Sequence, residues 1–435
     1  MKGNALAILN AKIFDTSKMM PITIKDTGSV SGLAKNVIAA YGMNTAGDRI
    51  FVVYNYNNGS AAGVSQLFAA PALVAEADVV FVGPSQKADH KLPGNAFVGT
   101  CTASASAGAG TLAAPFSVDC TTHTAQQADI AISDVRAQEL YAVYDAAAKG
   151  KAADLTQTAL FSQSFGVVVS PLLYGALQTK AGLDVSDVTT AANQPSISRA
   201  DYASLISKAG SIKSLAALTG DAGLTAQLTL ARRDDLSGSQ ASSNIFFVDG
   251  QCAGNGNAAV AKSLDETVSK AGGLMGGLAI VSIADAKTYP LLDILSAAVS
   301  ADVKNAVSSA TGYAIGVLNV GGGSAVKGSG AGVGRFIKID GISPNLPGSL
   351  NQLRDGSYPF AVTSYAMVNT KLNAKVPAKA ALTAALIAGF KDSTVAGVPS
   401  GIAYFDGSTT KGATAARAFG NNCSPIVTGA AFAPR

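Results

Sequence analysis

The segment 230-LARRDDLSGSQASSNIFF-247 joins an apolar run to a helix-compatible run through an unusual turn. Arg232, Arg233, Asp234 and Asp235 stand together in a chain of which only 14% is charged. Ser237, Gly238 and Ser239 follow, small residues suited to a turn and a helix start. Strand, small polar turn, then helix is the unit from which α/β folds are built. The backbone N–H groups opening such a helix bind oxyanions. The same residues also describe a surface turn in which Arg233 pairs with Asp234 or Asp235.

The same order recurs. Ile22 and Ile24 alternate as in a short strand, Thr27-Gly28-Ser29 forms a turn, and Leu33, Val37, Ile38 and Tyr41 follow helical spacing. Ile50 to Tyr56 is a β-branched and aromatic run that meets Gly59-Ser60 and then a helix-compatible run through Gln66 and Phe68. Ile130 and Ile132 run into Ser133-Asp134 and a helical stretch from Arg136 to Tyr141. Repetition of the unit predicts parallel strands with ligands beyond their carboxyl ends.

Elsewhere "FGVVVSPLLYGAL", from Phe165, reads as a buried strand and then a helix, and Ser198 and Asp201 stand where they would cap another. "GYAIGVLNV", from Gly312, reads as a further buried strand. The glycine-rich residues 321–334 precede "RFIKIDGI", a strand pattern, where a phosphate-cradling loop requires a helix. They read as a mobile or bulged connection.

Four turns therefore offer N–H groups and hydroxyls to an anion: Thr27 to Ser29, Gly59-Ser60, Ser133-Asp134 and Ser237 to Ser239. Arg233 adds a guanidinium fork able to hold an oxyanion bidentately. Asp134 stands apart, because a carboxylate repels an anion unless the ligand donates a proton to it. Monohydrogen phosphate does so; sulfate near neutral pH does not. The plainer use of Ser, Gly, Thr and Asp is capping, which every α/β protein needs.

The 435 residues exceed one compact core and predict two domains or one large interrupted domain. Hydrophobic residues make up 48%, enough for a large core and too many for a disordered chain. A formal charge of +4 without a basic stripe, and 6% aromatics without Trp, exclude a nucleic-acid binder. No apolar run reaches membrane-spanning length; "GGLMGGLAIVSIADA" is broken by glycine and ends at Asp285. The N-terminal residues lack the pattern of a signal peptide, so the chain begins after processing or its leader has been replaced.

Cys101 and Cys120 bracket a Gly/Ala/Ser-rich loop that a local disulfide would clamp, worth about 3 kcal/mol. Cys252 and Cys423 form the remaining pair. Metal is the rival use, but no C-x-x-C spacing is present and neither His90 nor His123 has a partner at helical ligand spacing. An even cysteine count with a local pair favours an oxidising compartment. No histidine stands near a Ser or Cys at a recognisable spacing, so neither catalysis nor a cofactor is expected.

"RRDDLSGSQ" resembles the Arg-x-Asp-Gly-Ser-Gly-Thr turn of periplasmic phosphate-binding proteins, the type II solute receptors of ABC importers. "NNGSAAGVSQ", "IAISDVRAQEL" and "DTGSVSG" resemble that family's second-strand Gly-Ser turn, its Ser-Asp turn and its first-strand Thr-Gly-x-x-Ser turn, in the same order along the chain. "PSISRADYASL", "YAIGVL" and "RFIKIDGISP" are similar to a secreted or periplasmic proteobacterial branch of the superfamily. The resemblance implies an α/β, two-lobed type II periplasmic-binding-protein fold, each lobe a mixed sheet flanked by helices, joined by a hinge. Residues 1–21 would form an N-terminal extension, 22–164 and 316–435 lobe 1, and 165–315 lobe 2, with crossings near 164–166 and 312–316.

Carried over position by position, the ligand contacts are Thr27, Ser29 or Ser31, Ser60, Asp134, Arg233, Ser237, Gly238 and Ser239. Leu236 stands where the phosphate receptors have Gly, and Ser239 where they have Thr. The implied ligand is phosphate or a related oxyanion, the implied partner an ABC importer, and the implied location periplasmic or extracellular. The second reading is a secreted structural or self-assembling surface protein on the same fold, with ligand binding lost. In it "NALAILNAKIF", from Asn4, adds as a strand to a neighbouring copy; a frayed terminus is the alternative for that segment.

Overall fold

The computed structural model describes residues 6–26, 36–55, 59–68, 79–80, 91–92, 101–104, 108–120, 127–140, 152–206, 211–212, 214–233, 237–248, 274–275, 278–283, 312–320, 334–346, 349–373, 377–395 and 402–404. Along the chain, β1 (Met20–Asp26), β2 (Asn36–Met43) and β3 (Arg49–Asn55) precede helix α1 (Gly59–Gln66). The short pair β4 (Val79–Val80) and β5 (Lys91–Leu92) is followed by β6 (Cys101–Ala103), β7 (Phe116–Cys120) and β8 (Ala131–Ser133). The long strand β9 (Leu155–Val169) leads to α2 (Pro171–Lys180), β10 (Ser196–Ile197), α3 (Arg199–Ile206) and α4 (Leu215–Thr219). Then come β11 (Leu228–Arg233), α5 (Gly238–Val248), β12 (Leu274–Met275), β13 (Leu278–Ile283) and β14 (Tyr313–Asn319). The chain continues through β15 (Arg335–Phe336), β16 (Lys338–Ile339), α6 (Ser349–Asp355) and β17 (Ala361–Asn369). The last elements are α7 (Thr370–Asn373), α8 (Pro377–Lys391) and β18 (Ile402–Tyr404).

The architecture is mixed α/β with mixed sheets. Two compact units divide the chain: unit 1 is Met1–Ser133, Asp145–Thr158 and Ala366–Val398; unit 2 is Asp134–Tyr144, Ala159–Tyr365 and Pro399–Arg435. Two of the divisions fall inside β9 and β17, and the others follow Ser133, Tyr144 and Val398. Residues 165–169 and 315–319 pair antiparallel in one sheet, so the contacts keep them, and the chain that follows to Tyr365, in one unit.

In unit 1 the strand order is β3-β2-β1-β7-β6, with β1 and β7 parallel and the other neighbours antiparallel. Alternate residues Met20, Ile22, Ile24, Ala39, Tyr41, Phe116 and Val118 fill one face. The helix expected over residues 30–41 is not formed at its second half: residues 36–43 are β2, with Lys25 opposite Asn36. Ile38 to Tyr41 is an apolar run buried on both faces, and periodicity cannot separate such a run from a helix. Strand β3 and helix α1 form as expected on either side of residues 56–58, which lie outside the described residues.

From Leu6, where the described residues begin, the N-terminal segment is helical where a strand was expected: Leu9–Ile13 is a π-helical turn. Leu9, Ile13 and Phe14 are buried with Ala40 of β2 and Leu386 of α8. Gly389 lets this segment approach, since a Cβ there would lie 2.6 Å from Ile8 Cγ2. Lys12 Nζ meets Asp392 Oδ2 at 2.5 Å. Leu6, Leu9, Ile13 and Phe14 of this segment therefore pack inside unit 1.

In unit 2 the order runs β12-β13-β11-β14-β9-β17, with β15 and β18 also pairing with β9. Strand β11 lies parallel to β13 and to β14, as its strand–turn–helix unit predicts, whereas β14 and β9 are antiparallel. Val167, Val169, Leu228, Leu230, Ile315 and Val362 pack with α2, α3, α4 and α5 around a single core. Ser198 Oγ accepts the Asp201 N–H at 2.9 Å and caps α3, as the sequence predicts. Gly166 of β9 admits the Phe336 ring, whose Cδ1 would lie 2.7 Å from a Cβ at that position.

Leu9→Ala should cost about 2–5 kcal/mol in denaturant unfolding, as for other buried leucines; a loss under about 0.5 kcal/mol contradicts the docked N-terminus. Hydrogen bonds from Lys12 and then Thr394 pull the Asp392 carboxyl from 3.8 down to about 2. A lowered carboxyl stabilises the fold above its unfolded value, and that contribution is lost as pH falls through the folded value. The difference in thermal midpoint between the native chain and Asp392→Asn should therefore shrink as pH drops from about 5 to about 2. A difference independent of pH contradicts the pairing.

Candidate functional site

Helix α5 is held by its aromatic residues. Phe246 stacks on Phe360 with centroids 4.5 Å apart, and Phe247 lies 4.3 Å from Tyr202. These contacts join α5 to α3 and to the residue preceding β17, and so fix where the helix begins. Its start follows the expected cap: Ser237, buried, accepts the Gln240 N–H on Oγ at 3.4 Å and the Ala241 N–H on its carbonyl at 3.1 Å. Gly238 and Ser239 then open the helix, so their N–H groups belong to the first turn, which lacks partners within the helix.

Asp134 meets this helix start. Ser239 Oγ donates to Asp134 Oδ2 at 3.1 Å, and Ser242 Oγ to the Asp134 carbonyl at 3.4 Å. The other carboxylate oxygen, Oδ1, accepts from Gln163 Nε2 at 3.0 Å and Ser364 Oγ at 3.2 Å. Gln163 Nε2 also donates to Ser364 Oγ at 3.1 Å, while Gln163 Oε1 accepts from Asn319 Nδ2. Strands β9, β14 and β17 thus each contribute one polar side chain, and all of these residues lie in unit 2.

Arg136 is committed elsewhere. Its Nε and Nη2 donate to Glu139 Oε1 at 2.9 and 2.6 Å, and its backbone N–H to Oε2 at 2.9 Å. Glu139 is only 1% exposed, and this bidentate pair satisfies its charge. The pairing closes a single 3-10 turn, Ala137–Glu139, where a helix from Arg136 to Tyr141 was expected. Tyr141 lies outside the described residues. Burial, with the Glu139 carboxylate second, pushes the neighbouring Tyr365 hydroxyl up to about 12.

Of the residues expected at the site, the structure brings together Asp134, Ser237, Gly238 and Ser239. Arg233 ends β11, four residues before Ser237; its side chain is outside the described ones. Ser60 opens α1 in unit 1 and is half-buried. Thr27, Ser29 and Ser31, like Cys252, Cys423, His90, His123 and residues 321–333, lie outside the described residues. Among the described residues no group of His, Cys, Asp and Glu is placed to hold a metal, and no helix is long and apolar enough to cross a membrane.

Gln163, Ser364 and Asn319 were not anticipated. Their signal is the triplet Ser162-Gln163-Ser164 inside a buried strand and Thr363-Ser364 inside another, since polar groups in such places need partners.

No protein-family model matches the chain, and no curated protein matches it. Solved structures similar to it include the following two. One is an ABC-type phosphate transport receptor from Vibrio cholerae, with a TM-score of 0.32, 13% identity, and coverage of 60% of this chain and 78% of that one. The other is a possible phosphate binding protein from Planctomyces limnophilus DSM 3776, with a TM-score of 0.29, 12% identity, and coverage of 54% and 63%. Neither likeness assigns a residue of the site.

Proposed function

We propose that the chain is an extracytoplasmic, non-catalytic solute-binding protein that takes phosphate or a related oxyanion carrying a proton. The observation that carries this reading is the Ser239 hydroxyl on Asp134 Oδ2 at the start of an eleven-residue helix. A helix start favours an anion, and the Asp134 carboxylate meets it here through Ser239. On binding, Ser239 turns its O–H to the incoming oxyanion, and the ligand's own O–H takes its place on Asp134. Sulfate brings no such proton and leaves two acceptors facing each other. Arg233, at the end of β11, supplies the opposing charge, and delivery of the solute to an ABC importer is the role we assign.

Titration calorimetry on protein stripped of ligand, with phosphate and with sulfate, tests the reading. Phosphate should bind saturably and sulfate should not. Arg233→Ala should abolish the phosphate heat, and Asp134→Asn should admit sulfate. Phosphate heat that neither substitution alters contradicts the site.

The compartment is proposed from β6 and β7. Cys101 stands opposite Cys120 in their register, and Ser104 N donates to Ser117 O at 3.0 Å. That bond marks the 104–117 pair as hydrogen-bonded, so alternation makes Cys101–Cys120 a non-hydrogen-bonded pair, with Cα atoms about 4.5 Å apart. Such a separation is one a disulfide spans. Peptide mapping without reductant should recover the two strands as one linked species; free thiols at both positions contradict an oxidised pair.

A further inference from the structure

The hydrogen bonds around Asp134 have a direction. Gln163 uses both Nε2 hydrogens, one on Asp134 Oδ1 and one on Ser364 Oγ, and Ser364 passes its own hydrogen to the same Oδ1. Three donors, Gln163, Ser364 and Ser239, therefore converge on the Asp134 carboxylate from β9, β17 and α5. This arrangement holds only with the Gln163 amide one way round. Turned over, Oε1 would face Oδ1, acceptor against acceptor. Asn319 Nδ2 donates to Oε1 and so fixes the orientation from β14. Gln163 is 7% exposed and sits in the middle of a strand, which keeps bulk water from competing for the amide.

We infer that Asn319 and Gln163 are positioning residues that set anion selectivity: by orienting donors onto Asp134 they make it a proton acceptor, so the site takes an oxyanion bearing its own proton and refuses one without. This rests on the oxyanion reading proposed above. Were the amide reversed, Oε1 would face Oδ1 and the donors that hold the Asp134 carboxylate as an acceptor toward the ligand would be lost. The discrimination between an oxyanion with a proton and one without would then weaken. Selectivity is then decided two residues away from the ligand, on a strand that does not touch it.

Asn319→Asp keeps the shape of residue 319 and replaces its donor with an acceptor, so Gln163 should turn to donate to it. Inorganic phosphate and sulfate affinities, measured by calorimetry on the full chain, give a ratio from which the added charge largely cancels. That ratio should fall at least tenfold, with the thermal midpoint within a few degrees of the native one. Gln163→Glu, which cannot donate to Asp134 and is nearly isosteric, should lower the ratio likewise and serves if the first variant does not fold. A side chain that only fills space leaves the ratio unchanged in both shape-conserving variants, and that result overturns the inference. Should neither variant fold, neutron diffraction from the native protein decides: Nε2 of Gln163 toward Asp134 supports the relay and Oε1 there overturns it. A native chain that binds neither anion is a different failure, removing the oxyanion reading itself and this role with it.

Discussion

The Asp134 carboxylate is the point on which unit 2 converges. Its partners lie 29, 105 and 230 residues away in sequence, on β9, α5 and β17. A partly buried carboxylate is costly unless hydrogen-bonded, so these elements have to reach their places together for any of them to be stable there. The chain leaves unit 1 after Ser133, and Asp134 is the first residue assigned to unit 2. Four of its hydrogen bonds come from unit 2 side chains. The short turn that follows, closed by Arg136 and Glu139, adds an internally neutralised charge pair.

Position at the helix start comes from apolar packing. The near-parallel stack of Phe246 on Phe360 and the contact of Phe247 with Tyr202 fix the far side of α5. Small polar residues, Ser242, Ser243 and Asn244, bury the intervening turn without steric demand. The aromatic end carries the energy and the serine end the chemistry. Such a division suits a binding site, where preorganised donors lose little entropy on meeting a ligand.

How much of this was legible in the sequence differs from element to element. The β11–turn–α5 unit was readable because its signals are local: an apolar strand, Ser237 as cap, and Gly238 and Ser239 at the first helical positions. The Ser198 cap of α3 was readable for the same reason. Strand β2 was not, because Ile38 to Tyr41 are buried on both faces and such a run carries no period. The docked N-terminus was hidden since its partners, Ala40 and Leu386, are far along the chain. At the site, Asp134 and Ser239 were visible as turn residues, but their direct bond was not. Gln163, Ser364 and Asn319 announce themselves only as polar residues in apolar strands, and what they bond to is decided by sheet order.

A crystal structure of the protein grown with phosphate should show an anion at the start of α5, with one oxygen within hydrogen-bonding distance of Ser239 Oγ and another, protonated, on Asp134 Oδ2. In that structure Ser239 no longer bonds to Asp134, while Gln163 and Ser364 still do. Phosphate bound elsewhere, with the Ser239–Asp134 bond intact, would contradict the site.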